Sequence, residues 1–118
     1  MTKERLLAFT KAWSHGDVGK VLHFFTEDCV YRPSVTNGLT ERFIGKKEVE
    51  KAIKNMIQFD NSRSSKVSNI QIFGDFGFWE WEYITNKNEC IVGCDVFKFR
   101  NEDIVEKNAY RKVKTKTD

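Results

Sequence analysis

Proline occurs once in the 118 residues, at position 33, so no proline-rich linker divides the chain. Uninterrupted apolar runs extend only a few residues, far short of the ~20 that a membrane-spanning helix requires. The opening Met1-Thr2-Lys3-Glu4 has no apolar signal-like core. The expectation is a soluble, cytoplasmic protein with no membrane partner. Cysteine is scarce and odd in number, three in all, which argues against a disulfide framework, and no clustered Cys/His spacing offers a metal site. Cys90 and Cys94 look like a pair. On one extended strand their Cα atoms stand about 13 Å apart, too far for a disulfide, so they read as small apolar residues. No metal and no cofactor are expected.

Aromatics are abundant: they make up 14% of the residues, Phe alone occurring ten times, within a hydrophobic fraction of 40%. A chain of this length buries roughly two-thirds of its unfolded surface as one domain. The formal charge is +3, but Lys and Arg alternate with Glu along most of the chain, which describes a solvated surface. Only Arg111 to Lys116 forms a basic cluster. It lacks aromatic stacking partners, so no nucleic acid is expected, and residues 114–118 read as a basic flexible tail behind a single domain at 1–113.

From Thr2 to Ser14, Leu6, Phe9 and Trp13 recur at helical spacing, with His15-Gly16 as a stop. Asp17 is a good N-cap for a second, short helix with Val18, Val21, Leu22 and Phe25 on one face. Cys29 to Arg32 reads as a short strand ended by Pro33, followed by a polar loop through Asn37-Gly38. Val49, Ala52, Ile53 and Met56 mark the buried stripe of a third helix. After Asn61-Ser62 the spacing changes to strand-like runs: Val67 to Phe73, Phe76 to Thr85, Cys90 to Arg100 and Ile104 to Val113. Short turns at Gly74-Asp75, Asn86-Lys87-Asn88 and Asn101-Glu102-Asp103 make these an antiparallel meander. The fold class is α+β: three N-terminal helices packed in the concavity of a curved, mainly antiparallel sheet, closing into a cone. On the third long run, Ile91, Gly93, Asp95, Phe97 and Phe99 share one face while Val92, Cys94 and Val96 share the other. Both faces are apolar. Three helices cover one, so the other is expected to meet a second copy in a homodimer.

The element order, with Cys29-Val30-Tyr31-Arg32-Pro33 and above all Gly93-Cys94-Asp95-Val96-Phe97-Lys98-Phe99 and Ile104-Val105-Glu106-Lys107-Asn108-Ala109-Tyr110, resembles the SnoaL-like and nuclear-transport-factor-2-like superfamily over nearly the whole chain. The resemblance implies a cystatin-like α+β cone around one pocket for a small hydrophobic molecule. The same cone serves isomerases, dehydratases, cyclases, epoxide hydrolases and non-catalytic proteins. Asp95 stands where the ketosteroid isomerase pattern has an acidic residue. That pattern's helix-one tyrosine is replaced by Phe9 and its carboxylate base by Arg32, and the epoxide hydrolase pattern's arginine and second aspartate are replaced by Gly93 and Ala109. What remains implied is a cofactor-independent isomerase, cyclase or dehydratase acting by proton transfer on a small hydrophobic carbonyl compound. The alternative is a non-catalytic ligand-binding or dimerisation module.

Strand alternation puts Asp95 with Phe97 and Phe99, facing an apolar space. Desolvation there makes it a protonated donor, whereas a nearby arginine makes it an anion. The resemblance turns Arg32 inward, as charge stabiliser to an acid or base Asp95. It also turns Val105, Lys107, Ala109 and Arg111 towards the pocket and Ile104, Glu106, Asn108 and Tyr110 away; a slip of one residue would offer Tyr110 and Asn108 instead. Trp79, Trp81 and Tyr83 share a face opposite Glu80 and Glu82. Placing the aromatics inward avoids burying two unpaired carboxylates and forms a flat wall for a ring-bearing ligand. The expected site is therefore Asp95 and Arg32 for catalysis, with Phe9, Trp13, Ile53, Trp79, Trp81, Tyr83, Phe97, Lys107 and Ala109 for binding. His15 and His23 are given no role.

Overall fold

The structure is a computed structural model that describes residues 1–115, at 62–64 the backbone alone. Helices α1 (Lys3–Ser14) and α2 (Val18–Leu22) open the chain, followed by strands β1 (Phe25–Arg32) and β2 (Phe43–Ile44), helix α3 (Lys46–Asp60), and strands β3 (Ser62–Phe73), β4 (Phe76–Thr85), β5 (Cys90–Arg100) and β6 (Asp103–Arg111). The Thr2 side chain caps α1 by accepting the Arg5 N–H at 3.1 Å, and Asp17 caps α2 through the Lys20 N–H at 3.1 Å. These bonds satisfy amides that a helix start otherwise leaves without partners. Asn61, in the left-handed region at φ 43°, ends α3, and Asn88 and Asn101 take the same conformation in the two later hairpins. Asparagine tolerates it better than most side chains. No helix among the described residues is long and apolar enough to cross a membrane.

The six strands form one curved sheet in the order β2-β1-β6-β5-β4-β3. Only β1 and β6 run parallel among these pairs; the others are antiparallel. Register shifts lie between Ser68 and Gln71 in β3, between Lys98 and Phe99 where β5 meets β6, and between Phe25 and Val30 in β1. Extra residues of this kind raise local twist and bend the strand. The sheet curves around the helices but stays open, with β2 and β3 as its edges. The concave side holds Leu6, Phe9 and Ala12 of α1 and Val49, Ala52 and Ile53 of α3 against Tyr31, Trp79, Phe97, Phe99 and Ile104 of the sheet. On the other side of β5 and β6, Val96 and Tyr110 are exposed.

Four details depart from the sequence reading. Phe25 belongs to β1 rather than to the second helix, because that helix stops after five residues. The loop after Pro33 contains β2, whose two residues pair with Val30 and Tyr31. The bulge opposite Lys98 and Phe99 turns Ile104 into the core while Lys107 also points inward, so Val105 and Ile104 exchange the roles that strict alternation assigns. Arg111, paired with Gly93, is the last residue of β6, so the strand stops two residues short of the expected Val113. Residues 116–118, the end of the expected tail, lie outside the described residues.

Candidate functional site

Three cross-strand rows build the concave wall. Gly77, Phe97 and Lys107 stand opposite one another across β4, β5 and β6, as do Trp79, Asp95 and Ala109, and then Trp81, Gly93 and Arg111. Ala109 and Gly93 are the small members of the last two rows. A Cβ built on Gly93 would lie 2.1 Å from the Tyr110 carbonyl oxygen and 2.5 Å from the Trp81 ring, so glycine is what lets the Trp81 indole lie against the strand. The space left over is a cavity of about 240 Å³ between the sheet, α1 and the end of α3. Its walls include Phe9, Trp13, Tyr31, Met56, Trp79, Trp81, Tyr83 and Ala109. A cavity of roughly 150 Å³ accepts benzene, so this one has room for a substituted ring. All three tryptophans of the chain line it.

Two ion pairs are set into this aromatic wall. In the first, Asp95 and Lys107 are 3% and 5% exposed. Lys107 Nζ donates to Asp95 Oδ1 at 3.1 Å and Trp79 Nε1 donates to Asp95 Oδ2 at 2.7 Å. The ammonium lies 4.4 Å from the centre of the Trp13 ring and 5.2 Å from that of Tyr31, within reach of both π faces. Burial first, and the Asp95 carboxylate second, push the Tyr31 hydroxyl well above the usual phenol range, which keeps it a neutral donor.

The second pair joins α3 to the sheet. Arg111 Nη2 donates to Asp60 Oδ1 at 3.0 Å and Nε donates to Ser34 Oγ at 2.8 Å, while the Tyr83 hydroxyl donates to the same Asp60 oxygen. The guanidinium lies 5.7 to 5.9 Å from the ring centres of Phe59, Trp81 and Tyr83. Burial, followed by the bond to Asp60, raises the Tyr83 hydroxyl above the usual phenol range. Asp60 closes a helix whose C-terminal partial charge is negative, and Arg111 offsets that repulsion.

Of the residues singled out from sequence, Phe9, Trp13, Trp79, Trp81, Tyr83, Asp95, Lys107 and Ala109 line this cavity. Ile53 and Phe97 do not. Both are fully buried in the core, where Phe97 packs edge-on against Phe9 and Trp79. Arg32 is displaced further. Tyr31 takes the inward position on β1, so its neighbour Arg32 emerges on the opposite face, with Nε 3.4 Å from Glu106 Oε2. The cation beside Asp95 is therefore Lys107, not Arg32. Tyr31 and Asp60 were not among the expected site residues, and Arg111 was expected to face the pocket but was given no role. Asp60 lies four residues beyond Met56 on the buried stripe of α3, a spacing visible in sequence; Tyr31 alternates with buried Cys29 on β1. His15 reaches the cavity rim, whereas His23 is exposed. Among the described residues no group of three His, Cys, Asp or Glu side chains is placed to hold a metal ion.

The sequence model of the SnoaL-like domain matches residues 6–107. The chain belongs to the SnoaL-like domain family. No curated protein matches it in sequence. Solved structures share its fold at low identity. An NTF2-like protein of unknown function from Mesorhizobium loti superposes with a TM-score of 0.78 at 18% identity, over 93% of this chain and 89% of the other. A protein of unknown function with a cystatin-like fold from Methylobium petroleophilum gives 0.76 at 15% identity, covering 97% and 77%. A steroid delta-isomerase from Pseudomonas aeruginosa gives 0.74 at 12% identity, covering 93% and 78%. These likenesses establish the SnoaL-like fold, and the chemistry has to be argued from the site itself.

Proposed function

We propose that this SnoaL-like protein binds a small ring-bearing carbonyl compound in the aromatic cavity and moves a proton on it without a cofactor, with Asp95 as the base and Lys107 as its charge partner. The observation that carries the reading is the Asp95 carboxylate itself. It is set into an apolar wall, and each of its oxygens takes one hydrogen bond, about half of what a carboxylate can accept. A carbonyl oxygen laid towards Lys107 and the Tyr31 hydroxyl brings the adjacent C–H to the carboxylate. Asp95 then takes the proton, the C–H electron pair moves to the oxygen as an enolate, and Lys107 exchanges one anionic partner for another. Return of the proton to the same or a conjugated carbon completes exchange or isomerisation. The total charge inside the cavity is constant throughout, which is what a low-dielectric site requires.

A substrate-independent test is available. The protein is incubated with 1-indanone in D₂O and loss of the α-proton signal is followed by NMR. Exchange above the buffer rate is expected, and Asp95→Asn should lower it by about 10²- to 10⁴-fold, the range for a positioned general base. Exchange that is unchanged in Asp95→Asn removes Asp95 as the base. The second reading, a non-catalytic binding module, is favoured by the fact that Trp79 and Lys107 already hold Asp95. It requires that indanone shift the tryptophan indole signals with no exchange at all.

A further inference from the structure

The buried cation of the cavity wall, Lys107, and the part-buried one, Arg111, are each already matched by a carboxylate. Lys107 is held by Asp95 and Arg111 by Asp60. Lys66, also at the rim, is held by Glu82 at 2.8 Å, but that pair is largely in water and screened. Resting on the binding reading above, we infer that the pocket selects electrically neutral ligands and discriminates against both acids and amines of the same shape. A carboxylate entering this space gives up its hydration without finding an unmatched cation. An ammonium finds no unmatched anion. Only a dipolar, uncharged group can use the remaining donors of Lys107, Arg111 and Tyr31 without leaving a net charge in an apolar surrounding. This selectivity narrows the substrate class to neutral ring-bearing ketones, esters or amides, and it excludes keto acids and amino compounds.

The experiment compares acetophenone, benzoate and benzylamine, which share one ring and differ in charge. Binding is read from the indole N–H signals of Trp13, Trp79 and Trp81, which all face the cavity. Wild-type protein should bind acetophenone at least tenfold more tightly than either ion. Asp60→Asn keeps an acceptor for the Tyr83 hydroxyl but leaves Arg111 unmatched, and should raise the affinity for benzoate relative to acetophenone fivefold or more. Arg111→Gln leaves Asp60 unmatched and should raise the affinity for benzylamine relative to acetophenone by a similar factor. The two variants disturb opposite charges, so a folding defect in one leaves the other to decide. Equal or tighter binding of an ion by the wild type overturns the inference while leaving the pocket reading intact, as does the absence of both gains. No shift with any of the three removes the pocket reading and the inference together.

Discussion

Asp95 meets Lys107 at 3.1 Å, and Asp28 meets Arg100 at 2.9 Å through a two-pronged bond. By distance and hydrogen-bond count the second pair is the better one. The side chains of the first pair are 4% and 7% exposed, however, and those of the second 61% and 55%. In water the Coulomb attraction is screened and the two long side chains lose freedom to hold one geometry, so the exposed pair changes little when it is broken. Inside the aromatic wall the pair has already lost its hydration, and either partner alone is an unmatched charge in a low-dielectric medium. The inner pair is the one whose rupture is costly and whose charge is felt by anything entering the cavity.

The largest effect should follow from breaking the inner pair on one side only. Asp95→Asn preserves the shape and an acceptor for Trp79 Nε1 but leaves Lys107 without its anion, and should cost about 3–5 kcal/mol in urea unfolding. Lys107→Met, which strands Asp95, should cost a similar amount. Replacing both, as Asp95→Asn with Lys107→Met, should recover much of that loss, because neither charge is then left behind and Trp79 Nε1 keeps an acceptor. A single-variant cost under about 1 kcal/mol, the level of a surface pair, would show that water reaches Asp95 and would collapse the contrast with Asp28.

Much of this wall was legible from alternation alone. Trp79, Trp81 and Tyr83 on β4 and Asp95 on β5 face the cavity as a period of two requires, since flipping them would bury Glu80, which instead accepts a bond from Asn69. Arg32 was misplaced for want of one fact: a resemblance between sequences does not fix strand register, and a shift of one residue exchanges Tyr31 with Arg32. The bulge that turns Ile104 inward is likewise silent in sequence, because β-branched residues suit either face. Asp60 and Arg111 lie 51 residues apart and meet only because β6 runs beside β5 with its end facing the end of α3. Long-range pairs of this kind come from topology, while the Asp17 cap and the boundary at Asn61 are local and were readable.

The cysteines extend the contrast between inside and outside to a milder effect. Burial pushes the Cys29 thiol up to about 11, whereas Cys90 is exposed. Iodoacetamide at pH 8 should modify Cys90 first and Cys94 more slowly, since burial also raises the latter, and should reach Cys29 only on unfolding; mass spectrometry of timed samples checks the order. The same shift has a pH consequence. A thiol held neutral by the fold contributes fully below the ordinary value near 9, and its contribution is lost as pH rises through about 11. Unfolding midpoints should therefore fall on the alkaline side, and Cys29→Ala should flatten that part of the fall even though it opens a small void. Early labelling of Cys29 in folded protein would place it outside the core.

The smallest effect belongs to the outer pair. The Arg100 guanidinium, bonded through both Nη atoms, holds the Asp28 carboxyl down to about 2, from 3.8. A carboxylate lowered in the folded state stabilises above its unfolded value and loses that stabilisation as pH falls. The window for Asp28 thus runs from about 4 down to about 2. At low ionic strength the wild type should exceed Asp28→Asn slightly in urea midpoint at pH 5, and the two should converge as pH falls through that window. At physiological salt the difference should shrink below detection, because both side chains lie in solvent and within the reach of counterions. The carboxyl carbon signal of Asp28, followed by NMR titration, gives the midpoint directly. A salt-insensitive loss in Asp28→Asn comparable to that of Asp95→Asn would mean that geometry outweighs burial in this protein, and the distinction between the two pairs would fail.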